Sequence, residues 1–120
     1  MQDISLGVIE SRFADIIWQN APLASSELVT RAQQAFGWKK STTYTVLKRL
    51  CEKGIFENNG GCVTVKMSRG DFYALQSQRF VEDTFQGSLP AFLAAFTSNK
   101  KLTPQEVAQL QRLVQEYQEG

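Results

Sequence analysis

Between Lys39 and Lys53 this 120-residue chain gathers the residue types whose spacing points to chemistry: hydroxyls, a phenol and several cations. At about 100° per residue, a helix over 40–53 puts Thr43, Val46, Leu47 and Leu50 on one side. Ser41, Thr45, Lys48 and Glu52 fall opposite, flanked by Tyr44 and Arg49. The first side is a core face. The second lacks the Glu/Lys mixture of an idle surface and carries groups that can meet phosphates and base edges.

The charge distribution agrees. The whole chain carries only +1, but across residues 37–70 seven basic side chains face Glu52 and Glu57 alone, a local +5. Residues 71–120 carry a net −2. A local basic patch is the footprint expected where phosphates are neutralised. Other chemistry is harder to assemble. With no histidine in the chain, the commonest general base and metal ligand is missing. Cys51 and Cys62 form no metal-binding pattern, and no nucleophile or phosphate-loop motif is present. The sequence therefore argues against an enzyme and implies no cofactor and no metal. Free thiols are the simplest reading of the cysteines, although their places near the end of the basic helix and in the following strand raise a redox role.

Other elements must position that face. Leu6, Ile9, Phe13, Ile16 and Ile17 recur at helical spacing after Ser5, a candidate N-cap, predicting a first helix over 6–20. Pro22 interrupts it. A second helix opens at Ala24-Ser25-Ser26-Glu27, buries Leu28, Val29, Ala32 and Phe36, and stops at Gly37. After the basic helix ends at Gly54, residues 55–57 and 62–66 read as strands joined by Asn58-Asn59-Gly60-Gly61. Three helices followed by a hairpin form the winged helix-turn-helix order, with the third helix suited to a major groove and the wing to the flanking backbone.

The rest is aromatic-rich and helical. A helix over 69–85 carries Phe72, Phe80 and Phe85; a short one after Gly87 carries Leu89, Phe92, Leu93 and Phe96. The last opens with the capping box Thr103-Pro104-Gln105-Glu106 and presents Leu110, Leu113 and Tyr117. So few residues cannot bury so many apolar groups among themselves. They either fold back on the N-terminal part or pair with a second chain, and pairing would also set two recognition helices on two half-sites. The expected class is mainly α: a winged helix-turn-helix DNA-binding domain over 1–68, then a helical dimerisation region over 69–120 built on the residues just named. No apolar run is long enough to span a bilayer and no secretory signal opens the chain, so membrane insertion is not expected and a cytoplasmic location is.

Glu10-Ser-Arg-Phe-Ala-Asp-Ile-Ile-Trp18, Trp38 and the run Ser41–Gly54 resemble the penicillinase-repressor family of the BlaI/MecI type, which includes copper-responsive members. The most specific part is Trp38 with Thr42, Thr45, Leu47, Arg49, Leu50, Lys53 and Gly54. The resemblance implies a transcriptional repressor that binds palindromic operator DNA as a homodimer and controls a resistance or membrane-sensor operon. It implies that Ser41, Thr42, Tyr44 and Thr45 face base edges, and that Lys40, Lys48, Arg49 and the wing residue Lys66 meet phosphates. A membrane-bound sensor protease is the further partner it suggests. In the beta-lactam branch such a protease cleaves an Asn-Phe bond, but the matching pair here is Ala95-Phe96. The copper branch ends in a cysteine-rich tail, whereas this sequence ends Gln118-Glu119-Gly120, an expectation against copper sensing by that route. The family's usual wing residues are also replaced, by Gly61-Cys62, Lys66 and Ser68. The competing reading is a winged-helix protein-protein interaction module without specific DNA binding.

Overall fold

The computed structural model describes residues 6–119, so the expected N-cap Ser5 lies outside them. Helix α1 spans Val8–Asn20 and buries Phe13, Ala14 and Ile17 along one stripe. It stops where Ala21, ahead of Pro22, takes the extended conformation that a following proline favours. Strand β1 (Leu23–Ala24) leads into α2 (Ser25–Phe36), which buries Leu28 and Ala32. Gly37, at φ 69°, closes α2 by donating its N–H to the Gln33 carbonyl, a left-handed cap that glycine adopts without a Cβ clash. Helix α3 (Lys40–Glu52) buries Thr43, Val46, Leu47 and Leu50, the face its spacing predicts. The buried Thr43 hydroxyl is satisfied by the Lys39 carbonyl at 3.3 Å.

The wing is β2 (Phe56–Asn59) and β3 (Cys62–Val65), paired antiparallel from Phe56 opposite Val65 to Asn59 opposite Cys62. That register leaves a loop of only Gly60-Gly61, both at positive φ, as the tight hairpin turn requires. The turn is thus shorter than the sequence suggested, because Asn58 and Asn59 remain in the ladder. Ile55 lies just before the strand, fully buried, and its carbonyl accepts from the N–H groups of Lys66 and Met67. The sheet also has a member the sequence did not announce: β1 pairs with β3, Leu23 opposite Val63, giving the order β1-β3-β2.

Helix α4 (Arg69–Phe85) begins against this core. Phe72, expected at a dimer interface, is corrected by the structure: it is 1% exposed and belongs to the core of its own winged helix. The Trp18 ring lies 5.3 Å from Phe56, 5.9 Å from Phe72 and 6.0 Å from Tyr73, and its indole N–H donates to the Met67 carbonyl at 3.0 Å. Arg69 pairs with Asp15 at 2.9 Å and lies over the Tyr73 ring. Accordingly the first compact unit extends through Ser77, past the break expected after residue 68, so the first two turns of α4 pack with the winged helix.

The second unit starts at Gln78. It holds the end of α4, α5 (Leu89–Thr97) and α6 (Pro104–Glu119). Gln86 and Gly87, both at positive φ, break α4 from α5, and the Ser88 hydroxyl caps α5 by accepting from the Ala91 N–H. At α6 the capping box is closed in both directions: Thr103 N–H donates to Glu106 at 2.9 Å, and Glu106 N–H donates to the Thr103 hydroxyl oxygen at 3.0 Å. The Thr103 backbone N–H, then its hydroxyl, hold the Glu106 carboxyl below the usual carboxylate range. This cap's charge-assisted part is therefore present at neutral pH and lost as pH falls through that lowered value. Phe80, Phe85 and Phe92 meet edge to face at 5.6–6.0 Å. Even so, neither α5 nor α6 buries a single described residue. No helix among the described residues is long and apolar enough to cross a membrane.

Candidate nucleic-acid interface

The outer side of α3 is presented by its inner side. Once Val46, Leu47 and Leu50 are seated in the core, Lys40, Ser41, Thr42, Thr45, Lys48 and Arg49 must point outward, and all are exposed. Tyr44 is half-buried against the core. Trp38, just before α3, wedges between Phe13 at 5.2 Å and Phe36 at 4.9 Å, which fixes where the helix starts.

The individual groups are not equally free. The Thr45 hydroxyl donates back to the Ser41 carbonyl at 2.9 Å, so toward solvent it offers a methyl group and acceptor lone pairs. Arg49 reaches Glu10 on α1, Nη1 to Oε2 at 3.2 Å. Its charge is therefore shared with a carboxylate before any phosphate approaches. The Tyr44 phenol lies 3.0 Å from the Ser25 hydroxyl at the start of α2. Lys40 and Lys48 are exposed on α3, and Lys66 is exposed just past β3. Ser25 and Glu10 are the functional candidates that sequence reasoning missed. Each lies on a different helix from the residue it orients, and no local periodicity pairs them.

Between α3 and β2 runs a groove of about 390 Å³ lined by Tyr44, Leu47, Lys48, Cys51 and Asn58. Burial pushes the Cys51 thiol up from its ordinary value, a shift that a backbone hydrogen bond from Asn58 partly offsets and the nearby Glu57 and Glu52 carboxylates reinforce. The thiolate is the reactive form, so the partly buried Cys51 is expected to react more slowly than Cys62, which is exposed on the wing. A limiting amount of a thiol reagent is expected to label Cys62 first, with labelling of Cys51 accelerating only as pH rises. Equal rates at neutral pH, read by peptide mass, would contradict this.

Chemically, the site can neutralise phosphates through separated lysines and present neutral donors and acceptors between them. A sequence model described as penicillinase repressor matches residues 6–116. The penicillinase repressor of Bacillus licheniformis is 23% identical over 106 residues, covering 85% of this chain and 83% of that protein. The match spans both units, from α1 to α6, and is not confined to the helix-turn-helix. With a mainly helical winged fold and a basic, hydroxyl-bearing third helix in place, the chain belongs to the penicillinase repressor family of DNA-binding transcriptional regulators.

Proposed function

We propose that the chain is a homodimeric repressor that grips a palindromic operator with α3 of each copy and, in doing so, excludes transcription of a resistance or membrane-sensor operon. The observation that carries this reading is the exposed α3 face, where hydroxyls and unburied lysines replace an ordinary solvated surface. In this reading Ser41, Thr42 and Thr45 approach base edges, Lys40, Lys48 and Lys66 meet phosphates, and Arg49 does so by exchanging Glu10 for DNA.

Dimerisation draws its support from the second unit, where Phe80, Leu89, Phe96, Leu113 and Tyr117 are all about half exposed or more. Phe85, Phe92, Leu93 and Leu110 complete that surface, each half-buried within one chain. Patches of this kind mark association surfaces, and a two-fold pairing matches a two-fold operator. Such a repressor acts in the cytoplasm, where its operator lies. A membrane-bound sensor protease is the partner that would relieve repression; the bond in question, Ala95-Phe96, lies within α5, and Phe96 is 47% exposed.

The deciding experiment selects purified protein against a random duplex library near physiological salt, where non-specific phosphate binding is suppressed. Enrichment of an inverted repeat with half-sites one or two helical turns apart is expected. Failure to enrich any motif, from folded and dimeric protein, would favour the protein-interaction module instead. On the enriched duplex, Lys48→Ala is expected to reduce the slope of log affinity against log salt by about one. Arg49→Ala should reduce it by less, because Glu10 already offsets that charge. Equal reductions would show that the Glu10 pair does not persist in solution.

A further inference from the structure

Ser25 stands at the meeting of three elements. Its backbone N–H donates to the Gly61 carbonyl in the wing turn at 2.7 Å, its own residue opens α2, and its hydroxyl lies 3.0 Å from the Tyr44 phenol on α3. The side is closed off: Ser25 is 7% exposed, and a Cβ at Gly61 would sit 3.6 Å from the Ser25 hydroxyl oxygen.

Two hydroxyls sharing one hydrogen bond have a proton left over, and burial decides which one keeps it. If the phenol donated, the spare proton would belong to the buried Ser25 hydroxyl, which has no acceptor among the described residues. An unmade bond there is costly. If Ser25 donates, the spare proton belongs to the half-buried Tyr44, whose hydroxyl can turn it outward. Tyr44 sits between Lys40 and Lys48, which lie four residues to either side on the same helical face, and with Lys48 and Asn58 it lines the groove between α3 and the wing. A phosphate oxygen only accepts, and a phenol held as a donor is its complement.

We propose that Ser25 is a positioning residue for DNA binding, which fixes the Tyr44 phenol as a neutral donor to a backbone phosphate lying in the groove between α3 and the wing. Tyr44 is thereby a phosphate contact and not a reader of base edges. This rests on DNA binding through α3 and specifies how one part of that face works.

The test measures affinity for the library-enriched duplex and for a scrambled duplex of equal length across a series of salt concentrations. Tyr44→Phe, which keeps the half-buried ring, and Ser25→Ala are each expected to weaken binding to both duplexes by about three- to tenfold. Neither should change the salt slope, since a neutral donor releases no counterion. The double variant should bind no more weakly than Tyr44→Phe alone, and Ser25→Thr, which restores a hydroxyl, should recover the loss. Thermal unfolding of each variant separates a folding effect from a binding one, and Tyr44→Phe carries the test if Ser25→Ala unfolds early. A loss confined to the enriched duplex would overturn the phosphate assignment, and multiplying losses in the double variant would overturn the positioning role. Lys48→Ala is the control. If it alters the salt slope while Tyr44→Phe and Ser25→Ala match wild type, the proposal fails and DNA binding through α3 stands. If Lys48→Ala too matches wild type, both fail.

Discussion

Replacing Phe72 with alanine is expected to destabilise the winged-helix unit by about 3–5 kcal/mol, the usual cost of removing a buried aromatic ring. The ring is 1% exposed, in contact with Trp18 and Tyr73, so its removal leaves a cavity that two large rings cannot readily fill. That loss is a large part of the ~5–15 kcal/mol that holds a domain folded. Phe96→Ala, at a site 47% exposed, should leave the winged-helix transition in place. The two also differ in kind: Phe72→Ala costs the same at every protein concentration, whereas a residue of an association surface matters through mass action. Denaturant melts at two widely separated protein concentrations distinguish them. A loss below about 1 kcal/mol for Phe72→Ala would mean that α4 does not pack on this core in solution.

In the proposed homodimer, Leu113→Glu is expected to abolish pairing and, with it, most operator affinity. Leu113 is 63% exposed on α6, beside Val114 at 58% and Tyr117 at 87%, so a charge there costs the single chain little but would be buried unpaired between two chains. The variant should sediment as a monomer, keep its helical circular dichroism, and bind the inverted repeat about 100-fold or more weakly, since the second half-site no longer benefits from linkage to the first. A dimeric Leu113→Glu protein with intact operator affinity would remove α6 from the association surface.

The elements most legible in the sequence were those whose determinants are local. Thr103 and Glu106 satisfy each other's N–H groups within one turn, and the Val46, Leu47 and Leu50 spacing on α3 needs only the helical period. Strand β1 was missed because two residues, Leu23 and Ala24, have no period, and their partners Val63 and Cys62 are far along the chain. Phe72 was assigned to the wrong surface for a related reason. An aromatic-rich helix announces that it needs cover but not which residues supply it, and Trp18 and Phe56 come from separate elements. At the interface, the outward face of α3 was readable, but its internal ties, Arg49 to Glu10 and Tyr44 to Ser25, were not. Those ties decide which groups are free to meet a ligand, and they exist only once α1, α2 and α3 have been brought together.

The wedging of Trp38 between Phe13 and Phe36 has an optical consequence. The chain contains only two tryptophans, and this one immediately precedes Lys39 and Lys40 at the start of α3, while Trp18 donates its indole N–H to the Met67 carbonyl. A Trp18→Phe chain would therefore carry one tryptophan, sited beside the basic helix, which excitation near the red edge of the absorption band selects over the three tyrosines. Its fluorescence would report events at that helix directly, so that titration with duplex could be followed without attaching a dye to either molecule.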